Sequence, residues 1–84
     1  MSGMRLPQLS ATLRREGVNR HAYRLMEVAD DAYCLTREGG GWAVFYSERG
    51  ERWDERSHAR EEDAAADLFA RIMRDPTTRQ KRGA

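Results

Sequence analysis

Apolar side chains recur along this chain at two different periods. Leu6, Leu9 and Leu13 are spaced by three and four, the repeat of one helix face. Pro7 is tolerated in a first helical turn, and Gly17 stands where helices commonly end in a left-handed residue. The spacing predicts a short helix over 7–16, with residues 1–5 frayed ahead of it. Val18, Tyr23, Leu25 and Val28 follow no period, and Asp30-Asp31 reads as a loop.

From residue 32 the pattern changes. Ala32 to Glu38 is a β-rich run, Gly39-Gly40-Gly41 permits the positive φ of a hairpin turn, and Trp42 to Ser47 is a second, stronger β run. Arg49-Gly50-Glu51 reads as another turn and Arg52 to Arg56 as a third, polar strand. A two-residue first turn would put Tyr33, Leu35, Trp42, Val44 and Tyr46 on one face and Cys34, Ala43 and Phe45 on the other. A three-residue turn would shift that pairing by one, and both registers remain open. Over 59–74 the helical period returns: Ala65, Leu68, Phe69, Ile72 and Met73 share a face. Glu61, Glu62 and Asp63 suit the positive end of that helix, Arg71 and Arg74 its negative end. Ser57 falls in the N-cap neighbourhood, and Pro76 stops the helix.

These elements predict an α+β fold: a three-stranded antiparallel meander packed against a C-terminal helix, with a short N-terminal helix. Residues 1–76 form the single small domain and 77–84 a disordered basic tail. One helix covers one face of the sheet. The other face is expected to meet the N-terminal helix or a partner protein.

Length sharpens this picture. A chain of 84 residues buries only roughly 60% of the surface its unfolded form would expose, so a roomy enclosed active site is not expected. The longest apolar runs are too short to span a bilayer. Met1 to Arg20 lacks the apolar core of a secretory signal, and a cytoplasmic location is expected. A single cysteine, Cys34, fits that reducing compartment and excludes a Cys-rich zinc site. The net charge of +1 conceals an asymmetry. Residues 1–26 carry five Arg against one Glu (+4), residues 27–63 five Arg against eleven acids (−6), and residues 64–84 five basic residues against two acids (+3). An acidic middle lies between two basic ends.

The candidate chemistry is sparse. His21 and His58 fall in different elements with no Ser or Cys nucleophile nearby, and read as solvated or capping residues. Cys34 reads as a small buried hydrophobe. The triple glycine lacks the lysine and following helix of a phosphate loop. The acids from Glu48 to Asp63 have neither the spacing of a calcium loop nor the cleft of a glycosidase pair. They form either a solvated face laced with arginine or a negative surface that steers a basic partner. Trp53 stands among Arg52, Asp54, Glu55 and Arg56, and is either an interface anchor or packed under the helix. Arg79, Lys81 and Arg82 are too few for strong nucleic-acid binding. No catalytic residue, cofactor or metal ligand is assigned, and no enzymatic activity is expected.

Ala32-Tyr33-Cys34-Leu35, Gly41-Trp42-Ala43-Val44-Phe45-Tyr46-Ser47-Glu48-Arg49-Gly50 and the acid-led helix start Glu61-Glu62-Asp63-Ala64 carry a resemblance over about residues 20–75. In these stretches the chain resembles small immunity proteins of bacterial polymorphic and contact-dependent growth-inhibition toxin systems. It departs from them at His58, where they usually carry an aromatic. The resemblance implies a cytoplasmic protein, monomeric or weakly dimeric, that binds the C-terminal domain of one cognate toxin and occludes its active site. Many such toxins are nucleases, whose cationic grooves an acidic surface could fill. The expected contact surface is Tyr46, Glu48, Arg49, Glu51, Trp53, Asp54 and Glu55. The competing readings are a small nucleic-acid-associated regulator using the basic ends and an accessory adaptor subunit.

Overall fold

The computed structural model describes residues 4–79. Their order is α1 (Leu6–Arg15), a 3₁₀ turn (Arg20–Ala22), β1 (Tyr23–Leu25), β2 (Ala32–Glu38), β3 (Gly41–Glu48), β4 (Glu51–His58), α2 (Glu61–Met73) and a second 3₁₀ turn (Pro76–Arg79). The class is α+β, but the sheet is not a three-stranded meander. It has four strands in the order β1-β2-β3-β4, and β1 runs parallel to β2. A strand of three residues is too short to display a period, which is why 18–31 shows none. Met26 ends β1 with φ 67°, and residues 26–31 carry the chain back to the start of β2.

The two central hairpins follow their turn residues. Glu38 pairs with Gly41, so the first loop is Gly39-Gly40, with φ of 57° and 80°. Positive φ at both positions is the geometry whose twist matches paired strands. This is the two-residue register, and it places Leu35 and Val44 on one face and Cys34 and Phe45 on the other. β4 is longer than the Arg52–Arg56 strand expected. Its pairing shifts between Val44–Arg56 and Tyr46–Trp53, so Phe45 faces two residues, Asp54 and Glu55. Asp54 takes φ 55° at this bulge.

Both helices lie on one face. Leu9 and Leu13 of α1 join Leu35 and Val44 of the sheet and Ala64, Ala65, Leu68 and Ile72 of α2 in one buried cluster. α1 closes with Gly17 at φ 77°. There the Val18 amide donates to Leu13 O at 3.0 Å and the Gly17 amide to Arg14 O at 3.1 Å. Its first turn is capped from outside: the Leu6 amide donates to Glu61 Oε2 at 2.8 Å. One acid at the start of α2 therefore satisfies an otherwise orphaned donor of α1. Ser57 is not the cap of α2. It belongs to β4, and Arg60 occupies the N-cap without a side-chain cap bond.

The opposite face is not covered by α1, as expected of one alternative, nor left for a partner. The chain seals it. Ala32, Cys34, Ala43 and Phe45 form a second buried cluster. The 26–31 segment reaches it through the Cys34 thiol, 3.7 Å from Ala29 O. Asp30 Oδ1 accepts from the Ser47 hydroxyl at 3.3 Å and the Gly50 amide at 3.0 Å. Arg52 closes the remainder, with its guanidinium 4.0 Å from the centre of the Phe45 ring.

Of the disordered tail expected over 77–84, residues 80–84 lie outside the described residues and 77–79 differ from it. Residues 77–79 are ordered. Thr78 is buried, its hydroxyl donates to Asp75 O at 2.8 Å, and its carbonyl accepts from the Asn19 amide at 2.8 Å. Arg79 donates to the terminal carbonyls of α2 at Ile72 and Met73. Lys81 and Arg82 lie outside the described residues. At the other end, Met4 packs against the main core and Arg5 occupies the N-cap of α1, its amide donating to Gln8 Oε1 at 3.2 Å, so the expected fraying of 1–5 does not extend to them.

Candidate functional site

Antiparallel pairing sets Tyr46 of β3 opposite Trp53 of β4, and Tyr33 of β2 opposite Tyr46. All three aromatic rings therefore stand on the helix-facing side. The Tyr33 and Tyr46 rings meet edge to face, with centroids 4.9 Å apart. α2 covers the apolar centre of the sheet and leaves a cleft of about 750 Å³ between its C-terminal half and β4. Tyr33, Tyr46 and Trp53 line it from the sheet, and Asp67, Arg71, Arg74 and Asp75 from α2 and its end. A smaller cleft of about 290 Å³, lined by His21 and Asp31, shares Tyr33, Tyr46 and Asp75 with the first. The two form one trough over the tyrosine pair.

Hydrogen bonds hold the trough's walls. Arg71 clamps Asp67 through Nε at 2.9 Å and a terminal nitrogen at 3.2 Å. His58 Nε2 lies 2.8 Å from the same carboxylate. Burial pushes the Asp67 carboxyl up, but the bonds from Arg71 and His58 outweigh it and hold the group below its ordinary value. An ionised carboxylate only accepts, so His58 carries its proton on Nε2. The Tyr33 hydroxyl donates to Asp75 Oδ2 at 2.8 Å. Burial, then that bond, pushes the Tyr33 phenol up to about 12. Burial also raises Tyr46, reinforced by the charges of Asp31 and Glu48. Both phenols are neutral donors around neutral pH.

Tyr46, Trp53, Asp54 and Glu55 of the expected surface line the cleft. Glu48, Arg49 and Glu51 instead form the exposed β3–β4 turn beside it. Trp53 is 51% exposed and does not belong to the core. Tyr33, Arg56, Asp67, Arg71, Arg74 and Asp75 line the cleft but were not among the expected contact residues. Asp67, Arg71, Arg74 and Asp75 recur at i, i+4, i+7 and i+8, so a polar stripe beside the apolar face of α2 was the available signal.

The acidic middle is partly neutralised. Arg52 bonds Glu38 at 2.8 Å and Glu55 at 2.9 Å, and Arg60 lies 3.4 Å from Asp63. Of the acids without an ion pair among the described residues, Asp30, Asp31, Glu48 and Glu51 gather at one end of the sheet. Asp30 and Asp31 are tied to Ser47 and Gly50 beside the turn, where Glu48 and Glu51 stand directly opposite each other across Arg49 and Gly50. Like charges in that position disfavour the hairpin. The basic ends are less available than their count suggests. Arg5 bonds Glu61, Arg24 bonds backbone carbonyls, Arg71 bonds Asp67 and Arg79 caps α2.

Cys34 is buried, and burial raises its thiol. His21 lines the smaller cleft, whereas His58 is bound to Asp67. Among the described residues, no group of three or more His, Cys, Asp or Glu is placed to hold a metal ion, and no helix is long and apolar enough to cross a membrane.

The Glu38–Arg52 bridge provides a direct solution test. Bonds from Arg52, then Thr36, hold the Glu38 carboxyl at about 2 against an ordinary 4.5. A depressed carboxyl stabilises the fold above its unfolded value, and that contribution fades as pH falls from 4.5 toward 2. NMR titration of the Glu38 carboxyl should show the low value in the native protein and a return toward the ordinary one in Arg52→Gln. An ordinary value in the native protein would mean that the bridge is not formed.

No protein-family model, no curated protein and no solved structure matches the chain.

Proposed function

We propose that this chain is an immunity-type binding protein that neutralises a cognate bacterial toxin domain in the cytoplasm by covering its active site. The resemblance of its central hairpin motivates the reading. One observation carries it: a half-exposed tryptophan on a charged edge strand, beside a turn where Asp31, Glu48 and Glu51 have no ion pair among the described residues. Interfaces concentrate their energy in such aromatic anchors, and rim charges set the association rate. The surviving acids favour a cationic partner surface, as the groove of a nuclease would present.

Titration with the toxin domain encoded by the adjacent gene tests this. Trp53→Ala should weaken binding by at least about 1 kcal/mol, several-fold in Kd, with an unchanged circular dichroism spectrum. Charge reversal at Glu48 and Glu51 should act mainly on the association rate and its salt dependence. Absence of binding, or unchanged affinity in Trp53→Ala, overturns the assignment. Micromolar binding of random duplex DNA at about 100 mM salt would favour a nucleic-acid regulator instead.

A further inference from the structure

The sheet has two open edges of unequal length. β1 ends one side with three residues, whereas β4 ends the other with eight, exposed from Glu51 to Ser57. Unpaired main-chain groups along such a strand are a template for another strand.

The bulge decides which β4 side chains share a face. Pairing sets Glu51 opposite Glu48, Trp53 opposite Tyr46 and Arg56 opposite Val44, so all three stand on the helix-facing side. Arg52 lies opposite Ser47 on the other side, against the Phe45 ring, and holds Glu55 there at 2.9 Å. Strict alternation without the extra residue would put Glu51 and Arg56 on opposite faces. Neither has an ion pair among the described residues. Five positions apart in one strand, they stand roughly 15 Å from each other.

The run Glu-Arg-Trp-Asp-Glu-Arg over 51–56 complements itself when reversed. Set antiparallel to a second copy, with a two-fold axis between Trp53 and Asp54, Glu51 of each copy meets Arg56 of the other on the helix-facing side. Arg52 and Glu55 meet in the same way on the opposite side, and the two Trp53 rings flank the axis. A shift of two residues either way sets Glu51 opposite His58 or Asp54 and loses every Glu–Arg pair. The cleft beside β4 sets the C-terminal half of α2 back from this edge, which leaves room for the tryptophans.

We propose that β4 pairs with β4 of a second copy in this register, joining two sheets into one across a two-fold axis. Main-chain pairing forms on either side of the axis and is interrupted at the opposed bulges. Arg56 then brings a counter-charge to the Glu48–Glu51 pair of the other copy. So short a seam makes a weak dimer, with a Kd of about 100 μM. This inference does not rest on the toxin reading, although a partner seated on Trp53 would displace the second copy.

Sedimentation equilibrium of the full chain from about 10 μM to about 1 mM should follow a reversible monomer–dimer equilibrium. Over the same range the Trp53 indole and the amides of 51–56 should shift with concentration in NMR spectra, and those of 23–25 should not. Glu51→Arg opposes like charges twice across the axis, and so does Arg56→Glu. Each should weaken the dimer at least about tenfold with an unchanged circular dichroism spectrum. An equimolar mixture of these two variants should recover the native affinity, because acid again opposes base at both positions. Glu51→Arg with Arg56→Glu in one chain should recover it alone. A native chain still monomeric at about 1 mM, single variants that associate like the native chain, or a mixture that stays monomeric overturns the proposal. So do shifts centred on 23–25. None of these measurements involves the toxin domain, so their failure leaves the toxin reading standing, and a failed toxin titration leaves the dimer.

Discussion

Phe45→Ala is expected to lose about 4 kcal/mol of folding stability, the largest effect of any single substitution considered. Phe45 is fully buried and is the largest side chain of the second core cluster, whose other members are Ala32, Cys34 and Ala43. Small neighbours cannot collapse into the space left by a phenyl ring, so the cavity persists. Two further contacts go with it. Arg52 loses the ring beneath its guanidinium, and the β4 bulge loses the residue it is built around. A chain of this size has a total stability of only about 5–10 kcal/mol, so the variant should be marginally folded at room temperature. Urea denaturation measures it. Phe45→Leu, which keeps most of the volume, should lose about 1.5 kcal/mol. A small loss in Phe45→Ala would mean that the outer face of the sheet is not sealed as described.

Asp67→Ala should cost about 3 kcal/mol, because it leaves the partly buried Arg71 without its counter-charge and His58 Nε2 without its acceptor. The Asp67 and Arg71 side chains are 11% and 10% exposed. The carboxylate fastens α2 to the last residue of β4 through His58, so its removal should also loosen the wall of the trough and weaken partner binding. Asp67→Asn keeps an acceptor for Arg71 and should lose less. The pH dependence has a definite sign. Asp67 lies below its ordinary value in the folded chain, so its contribution is present above that value and lost as pH falls through the folded one. The stability gap between native protein and Asp67→Ala should be widest near neutral pH and should narrow in acid. A gap independent of pH would exclude the ion pair as its source.

The helices and the first hairpin were legible from the chain because each is encoded locally. The spacing of Leu6, Leu9 and Leu13, the glycines at 17 and 39–40, and the apolar stripe of 65–73 each act within a few residues. The candidate site was legible only in part. Tyr46, Trp53, Asp54 and Glu55 stood out as aromatics and acids in one segment, whereas Tyr33, Arg56, Arg74 and Asp75 reach the same cleft from three elements. Strand β1 was invisible because three residues carry no period and its parallel partner begins after an intervening loop.

From its sequence alone this chain determines its α+β class, the positions of its helices and its hairpins, and the concentration of acid over 27–63. Those properties depend on side-chain period, backbone preference and composition, which neighbours in the chain decide. Tertiary structure alone decided which face α1 covers, what seals Phe45, and which acids remain unpaired. Each depends on residues far apart in the chain: Glu61 on Leu6, Arg52 on Phe45, Asp30 beside Gly50. Such contacts form only once the sheet's register and the helix packing have brought their partners within bonding distance, and no local signal records them.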